Sequence, residues 1–235
     1  MAGWLPARAE RRRRRRRGLV RGVLRWLLAA AVAWLALCVV GLVYLRIFPP
    51  LLTVLQLQRW VQYGDAPGST SGFVSLVRLG PHLPRAVVAA EDTRFFAHAG
   101  IDWDGVRRAA EDNWQRGQVW RGGSTITQQL VKNLFFPTFW SPLRKLFEVP
   151  LSLLAELILP KSRILELYLN VVEWGPGVYG GEDAAQHHYG VPAAFLGREQ
   201  AARLAACLPA PRRRRPQRMD HYGRVILARM AAMGA

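Results

Sequence analysis

Gly122-Gly123-Ser124-Thr125-Ile126-Thr127-Gln128-Gln129-Leu130-Val131-Lys132-Asn133 opens a helix and sets the character of the chain around it. Two glycines interrupt whatever precedes, and Ser124 is placed to cap the first turn. Ile126, Leu130 and Leu134 then recur at i, i+4 and i+8 and turn one face to a core. Thr125, Gln128, Gln129 and Lys132 share the opposite face. A solvated polar face is the ordinary outcome of such a pattern. Two adjacent amides with a hydroxyl and a lysine also make a dense hydrogen-bonding surface, suited to sugar hydroxyls, amides and phosphate. From here to Ala235 helical patterns dominate, so the fold class is mainly α.

On either side lie two carboxylates in polar islands. Glu91 heads Glu91-Asp92-Thr93-Arg94-Phe95-Phe96-Ala97-His98-Ala99-Gly100, and Glu148 closes Arg144-Lys145-Leu146-Phe147-Glu148. Pro81 and Pro84 flank the start of a helix whose Ala86–Ala90 body delivers Glu91 at its end. Arg144, Lys145 and Glu148 are three to four residues apart and share a helical face. As a surface salt bridge this set would contribute only ~0.3–0.5 kcal/mol. Pro150 predicts a kink or a restart just after Glu148. A carboxylate that takes a hydroxyl proton and cations that receive an anionic leaving group are what glycosyl transfer requires. His98 is placed to fix the Glu91 segment by hydrogen bonding; with no HExxH or Cys/His cluster, no zinc site is expected.

Topology is read from the N-terminus. Trp26 to Leu45 is an uncharged run of 20 residues, the length a helix needs to cross roughly 30 Å of hydrocarbon. Residues 1–46 carry eleven Arg against Glu10, so +10 of the net charge of +17 resides there. Arg11–Arg17, Arg21 and Arg25 precede the span, which places the N-terminus in the cytoplasm by the positive-inside rule. A cleaved signal peptide is the competing reading, but the run exceeds its usual core and Arg46-Ile47-Phe48-Pro49-Pro50 follows instead of a cleavage site. Beside a membrane span the arginines suit lipid headgroups, and no nucleic-acid partner is expected. The chain divides into a basic cytoplasmic tail (1–18), a transmembrane helix (19–48), a juxtamembrane linker (49–72) and a globular domain (73–235).

Within the linker Leu51–Trp60 suits a helix and Tyr63–Gly72 is turn-rich. Phe73–Val77 is the best strand candidate. Ile164, Leu165, Tyr168 and Leu169 form the core stripe of a helix that follows Pro160. Phe135-Phe136-Pro137-Thr138-Phe139-Trp140 reads as a loop that either dips into the membrane interface or packs in the core. Arg212–Arg215 is read as a lipid contact in preference to a solvated run. Cys38 lies in the apolar run and Cys207 far from it, so no structural disulfide is expected.

Five motifs, in order over about Phe73–Arg215, resemble those of the family-51 glycosyltransferases, the peptidoglycan transglycosylases. Glu91-Asp92-x-x-Phe95-x-x-His98-x-Gly100 is similar to the first and Gly123-Ser124-Thr125-Ile126-Thr127-Gln128-Gln129-x-x-Lys132-Asn133 to the second. Arg144-Lys145-x-x-Glu148 resembles the third, and Lys161-x-x-Ile164-Leu165-x-x-Tyr168-Leu169-Asn170 the fourth. Gly177-x-x-Gly180-x-x-x-Ala184-Ala185 with Tyr189-Gly190 resembles the fifth, and His187-His188 departs from it where aromatics are usual.

The resemblance implies a lysozyme-like glycosyltransferase fold behind one membrane helix. It also implies polymerisation of lipid II, a disaccharide-pentapeptide on undecaprenyl pyrophosphate, into β-1,4 glycan at the periplasmic face of the inner membrane. Glu91 matches the family's principal catalytic glutamate and is the expected base, with Glu148 the second catalytic carboxylate. Asp92, Phe95, His98, Ser124, Thr125, Gln128, Gln129, Lys132, Asn133, Arg144 and Lys145 are the expected substrate-binding set. Glu148 orients the cations, binds a divalent ion (Mg or Mn) or assists the donor side; the residues leave these roles open, and no cofactor is required. Expected partners are lipid II, the growing glycan strand and membrane lipids, with cell-wall synthesis or division proteins as further candidates. The stand-alone members of the family are the nearer match, because no Lys-Thr-Gly transpeptidase motif is present. A lytic glycan-cleaving enzyme and a non-catalytic scaffold of cell-wall synthesis are the alternatives. The first has no need of Lys132, Arg144 and Lys145, and the second none of two intact glutamates.

Overall fold

The computed structural model describes residues 5–116, 123–138 and 142–234. The chain forms two compact units, 1–41 and 42–235. The first is most of α1 (Leu5–Leu45), whose stretch Gly18–Leu45 is long and apolar enough to cross a membrane.

The second unit is mainly α. Its helices are α2 (Val54–Tyr63), α3 (His82–Glu91), α4 (Trp103–Arg116), α5 (Ile126–Phe135), α6 (Pro142–Ile158), α7 (Lys161–Val171), α8 (Gly181–Tyr189), α9 (Arg198–Ala205) and α10 (Asp220–Ala232). One short antiparallel hairpin, β1 (Glu173–Gly175) and β2 (Val178–Tyr179), interrupts them. Two helical clusters meet at the site. In one, α3 packs against α9 and α10; in the other, α5 packs against α6, α7 and α2. Ile126 and Leu130 are fully buried and Leu134 nearly so, as the helical spacing predicts. Trp174, Tyr168, Tyr179 and Phe95 are the largest fully buried side chains.

Segment 49–72 belongs to the second unit and is tied into it. Thr53 and Gln56 form a capping box at the start of α2. Arg212 Nη1 pairs with Asp65 at 2.5 Å and with Glu173 at 2.8 Å, and its guanidinium lies 3.9 Å from the Tyr63 ring centroid. The Asp183 carboxylate accepts from Ser69 Oγ and from the backbone N–H groups of Thr70 and Ser71. Arg212 is therefore a structural clamp, and the lipid reading of that residue is corrected.

Three other expectations change. Phe73–Val77 is not a strand: Val74 exchanges both backbone hydrogen bonds with the Asn170 side chain, and Leu76 N–H donates to Glu166. Side chains of α7 take the place of a neighbouring strand. Helix α6 runs through Pro150 without restarting, because the proline lies on the exposed face, where the missing N–H leaves no buried carbonyl orphaned. The helix cap after Gly123 is Thr125, not Ser124. In the aromatic loop Phe136 is buried and Thr138 N–H donates to Gln58 at 2.6 Å, so this part is held by protein; Phe139 and Trp140 lie outside the described residues.

At the C-terminal end of α1, Leu42 and Leu45 are buried in the second unit. Arg163 Nε and Nη2 donate to the carbonyls of Leu45 and Phe48, both at 2.8 Å, and so satisfy acceptors that a helix end leaves open. Cys38 and Cys207 are both free and buried.

Candidate active site

Glu91 is the last residue of α3, and Asp92 is its C-cap. Asp92 Oδ2 accepts the backbone N–H of Ile126 at 3.1 Å, and both its oxygens lie 3.0–3.1 Å from His98 Nε2. Thr125 Oγ1 donates to the Gly100 carbonyl at 2.6 Å. These bonds lock the first motif onto the N-terminus of α5. Gly100 adopts φ +85°, where a Cβ would meet the Ser152 carbonyl at 3.0 Å, so the loop approaches α6 as only glycine permits.

Within α5 the polar residues divide in function. Gln128 Oε1 accepts from Thr125 N–H and Gln128 N–H donates to Thr125 Oγ1, a reciprocal capping box. The Gln128 side chain is thus engaged by backbone and buried, and Asn133 is buried as well. Gln129 instead faces the glutamate, and its Nε2 donates to Glu91 Oε2 at 2.6 Å. Tyr168 Oη, from α7, donates to Gln129 Oε1 at 2.9 Å. Burial pushes the Glu91 carboxyl above its usual range, while the Gln129 hydrogen bond and the charges of Lys132 and Arg214 pull it back. Burial lowers Lys132, and the negative charges of Glu148 and Glu91 oppose that fall. The Arg144 and Lys145 charges lower it further, so Lys132 feels both carboxylates and both neighbouring cations.

The second carboxylate is not the surface salt bridge that its spacing allows. Glu148 is 1% exposed, with Arg144 Nε at 2.5 Å from one oxygen and Lys145 Nζ at 3.2 Å from the other. Arg144 Nη1 also donates to the Pro137 carbonyl, and Lys145 Nζ to Ser124 Oγ at 2.9 Å. Both Glu148 oxygens face cations, and among the described residues no group of three His, Cys, Asp or Glu side chains could hold a metal ion. The donor set does not fit a resident divalent cation.

Phe95 is fully buried; Lys161 Nζ sits 4.3 Å from its ring centroid, and the Phe96 ring packs edge-on at 4.9 Å. Phe95, Asp92 and His98 thus form the interior support of the Glu91 loop. Glu91, Gln129, Lys132, Ser124, Arg144 and Lys145 are the more accessible members of the expected set. Sequence reasoning missed the place of Tyr168 at the site, having put it in the core stripe and the fourth motif without a role there. It also missed Glu156, which accepts from Thr127 Oγ1 at 2.5 Å and from Lys161 Nζ at 2.8 Å. The signal for Tyr168 was its hydroxyl: it is the one polar-headed residue of that stripe.

Residues 62–231 match the family described as transglycosylase. A biosynthetic peptidoglycan transglycosylase of Methylobacillus flagellatus is 49% identical over 162 residues, covering 67% of this chain and 71% of the relative. One of Rhodospirillum centenum is 46% identical over 196 residues, covering 83% of this chain and 84% of the relative. The chain belongs to the transglycosylase family, and its mainly α globular unit carries the lysozyme-like glycosyltransferase fold of that family.

Proposed function

We propose that the chain is a peptidoglycan glycosyltransferase of cell-wall biosynthesis that polymerises lipid II into β-1,4 glycan strands. The observation that carries this reading is the pairing of a half-buried glutamate, Glu91, with a cationic cluster gathered on a second, fully buried one, Glu148. A glycan-cleaving enzyme would not require that cluster.

In the proposed step the Glu91 carboxylate accepts the proton of an acceptor sugar 4-hydroxyl as its oxygen bonds to the donor anomeric carbon. The bond from that carbon to the pyrophosphate breaks, and the electron pair leaves with the lipid pyrophosphate. Displacement of an α-linked pyrophosphate in this way inverts the centre to β. Lys132, Arg144 and Lys145 neutralise the departing charge. Glu148 acts as the fixed counter-ion that holds Arg144 and Lys145 in place, a reading supported by the two ion pairs on its two oxygens.

The apolar helix anchors the chain in the membrane, where lipid II keeps its tail. The arginines before that helix support a cytoplasmic N-terminus and a globular unit on the opposite side of the inner membrane. The deciding experiment is incubation of the purified chain with labelled lipid II, followed by muramidase digestion. Long products that muramidase reduces to disaccharide units are expected, and an absence of polymer overturns the reading.

A further inference from the structure

Behind the Glu91 carboxylate lies a three-membered chain of hydrogen bonds built from three separate helices. Tyr168 of α7 donates to Gln129 of α5, and Gln129 donates to Glu91 of α3. An amide can face two ways, and its neighbours decide which. An ionised carboxylate only accepts, so it requires the amide nitrogen; the amide oxygen must then point away, toward a donor. The Tyr168 hydroxyl is that donor. Its ring is fully buried, and burial together with the Glu91 and Asp92 charges raises its pKa well above the ordinary value, so it keeps its proton. The reverse orientation, with Gln129 Oε1 toward the carboxyl, suits only a protonated Glu91.

We propose that Tyr168 is a positioning residue for glycosyl transfer: its hydroxyl fixes the Gln129 amide in the orientation that matches ionised, proton-accepting Glu91. The proposal rests on Glu91 being the base. Tyr168 touches no reacting atom and acts through Gln129. With the hydroxyl removed, Gln129 Oε1 loses its donor, the amide turns freely, and the ionised form of Glu91 loses support. Lys132 from α5 and Arg214 from the segment after α9 still favour that form, and Asp92 still opposes it. The change therefore has one direction: Glu91 holds its proton to higher pH.

The test compares wild type, Tyr168→Phe, Gln129→Leu and the double variant, each as the full chain in detergent. Two readouts are taken: the pH profile of kcat/KM on lipid II, and the Glu91 carboxyl ¹³C titration, assigned with Glu91→Gln. Tyr168→Phe keeps the buried ring, so its thermal melt should stay within a few degrees of wild type. Its kcat should fall by about tenfold with KM changed less than about twofold, and the acid limb and the titration midpoint should both move up. In the Gln129→Leu background the same substitution should add nothing. An unmoved midpoint in Tyr168→Phe, or full additivity in the double variant, overturns the proposal. The titration decides this whether or not glycan is made, so a wild type inactive on lipid II counts against the proposed function alone.

Discussion

Asp92 and Ile126 are joined by a hydrogen bond of 3.1 Å from the helix α5 backbone to a carboxylate whose sequence neighbour is Glu91. The residue beside the candidate base thus closes an open donor at the start of the helix that carries Gln129 and Lys132. Asp92→Ala should remove that acceptor and the partner of His98 together. The expected loss is about 1–3 kcal/mol, read as a lower thermal midpoint in detergent, with a parallel fall in polymerisation rate. An unchanged melt would show that the contact carries no stability.

Glu91→Gln should separate activity from stability. A glutamine cannot accept the proton, so polymerisation should fall by about 10²–10⁴-fold, with lipid II binding much less affected. The folded-state pKa of Glu91 lies above its ordinary 4.5, chiefly from burial. The stabilising contribution of such a group is fully present below the unfolded pKa and is lost as pH rises through the folded one. At neutral pH the ionised carboxylate is therefore a cost that Gln avoids. Thermal melts should show the variant more stable than wild type near pH 7, with the gain fading in acid.

Glu148→Ala should act through its cations. Removing one partner of a buried pair costs about 3–5 kcal/mol; the lower end applies, because the Lys145 side chain is 47% exposed. Donor affinity should weaken along with stability, because Arg144 and Lys145 lose their common anchor. Direct binding of a lipid pyrophosphate and thermal melts check this. Unaltered affinity would assign Glu148 a role other than holding those two residues.

Membrane topology is accessible in cells. With the arginine cluster ahead of the span, alkaline phosphatase fused after Gly72 should be active and a cytoplasmic reporter at the same position silent. The opposite pattern would reverse the proposed orientation.

The elements that could be read from sequence are those whose cause is local. Helix α5 follows from the spacing of Ile126, Leu130 and Leu134, and α3 from the apolar run after Pro84. The ion pairs of Glu148 follow from an i, i+3, i+4 spacing. What was not legible depends on partners distant in the chain. Val74 is extended because Asn170, 96 residues away, takes both its backbone groups. Arg212 is a clamp because Asp65 and Glu173 converge on it. The burial that separates Phe95 and Asp92 from the accessible residues is likewise a property of packing, and no spacing rule announces it.

Helix α7 serves as a ruler. At its first turn Arg163 grips the carbonyls of Leu45 and Phe48, where the apolar helix ends. Five residues on, Tyr168 reaches toward the candidate base through Gln129. Neither Gly nor Pro lies between them, so the axial offset is set at about 7.5 Å by helical rise alone. A rigid rod of constant length thus holds the Gln129 partner at a set distance from the Leu45 and Phe48 carbonyls within the second unit. One residue inserted between Arg163 and Tyr168 would swing the hydroxyl by about 100° around the helix axis, so the gauge tolerates side-chain exchange along α7 far better than a change in its length.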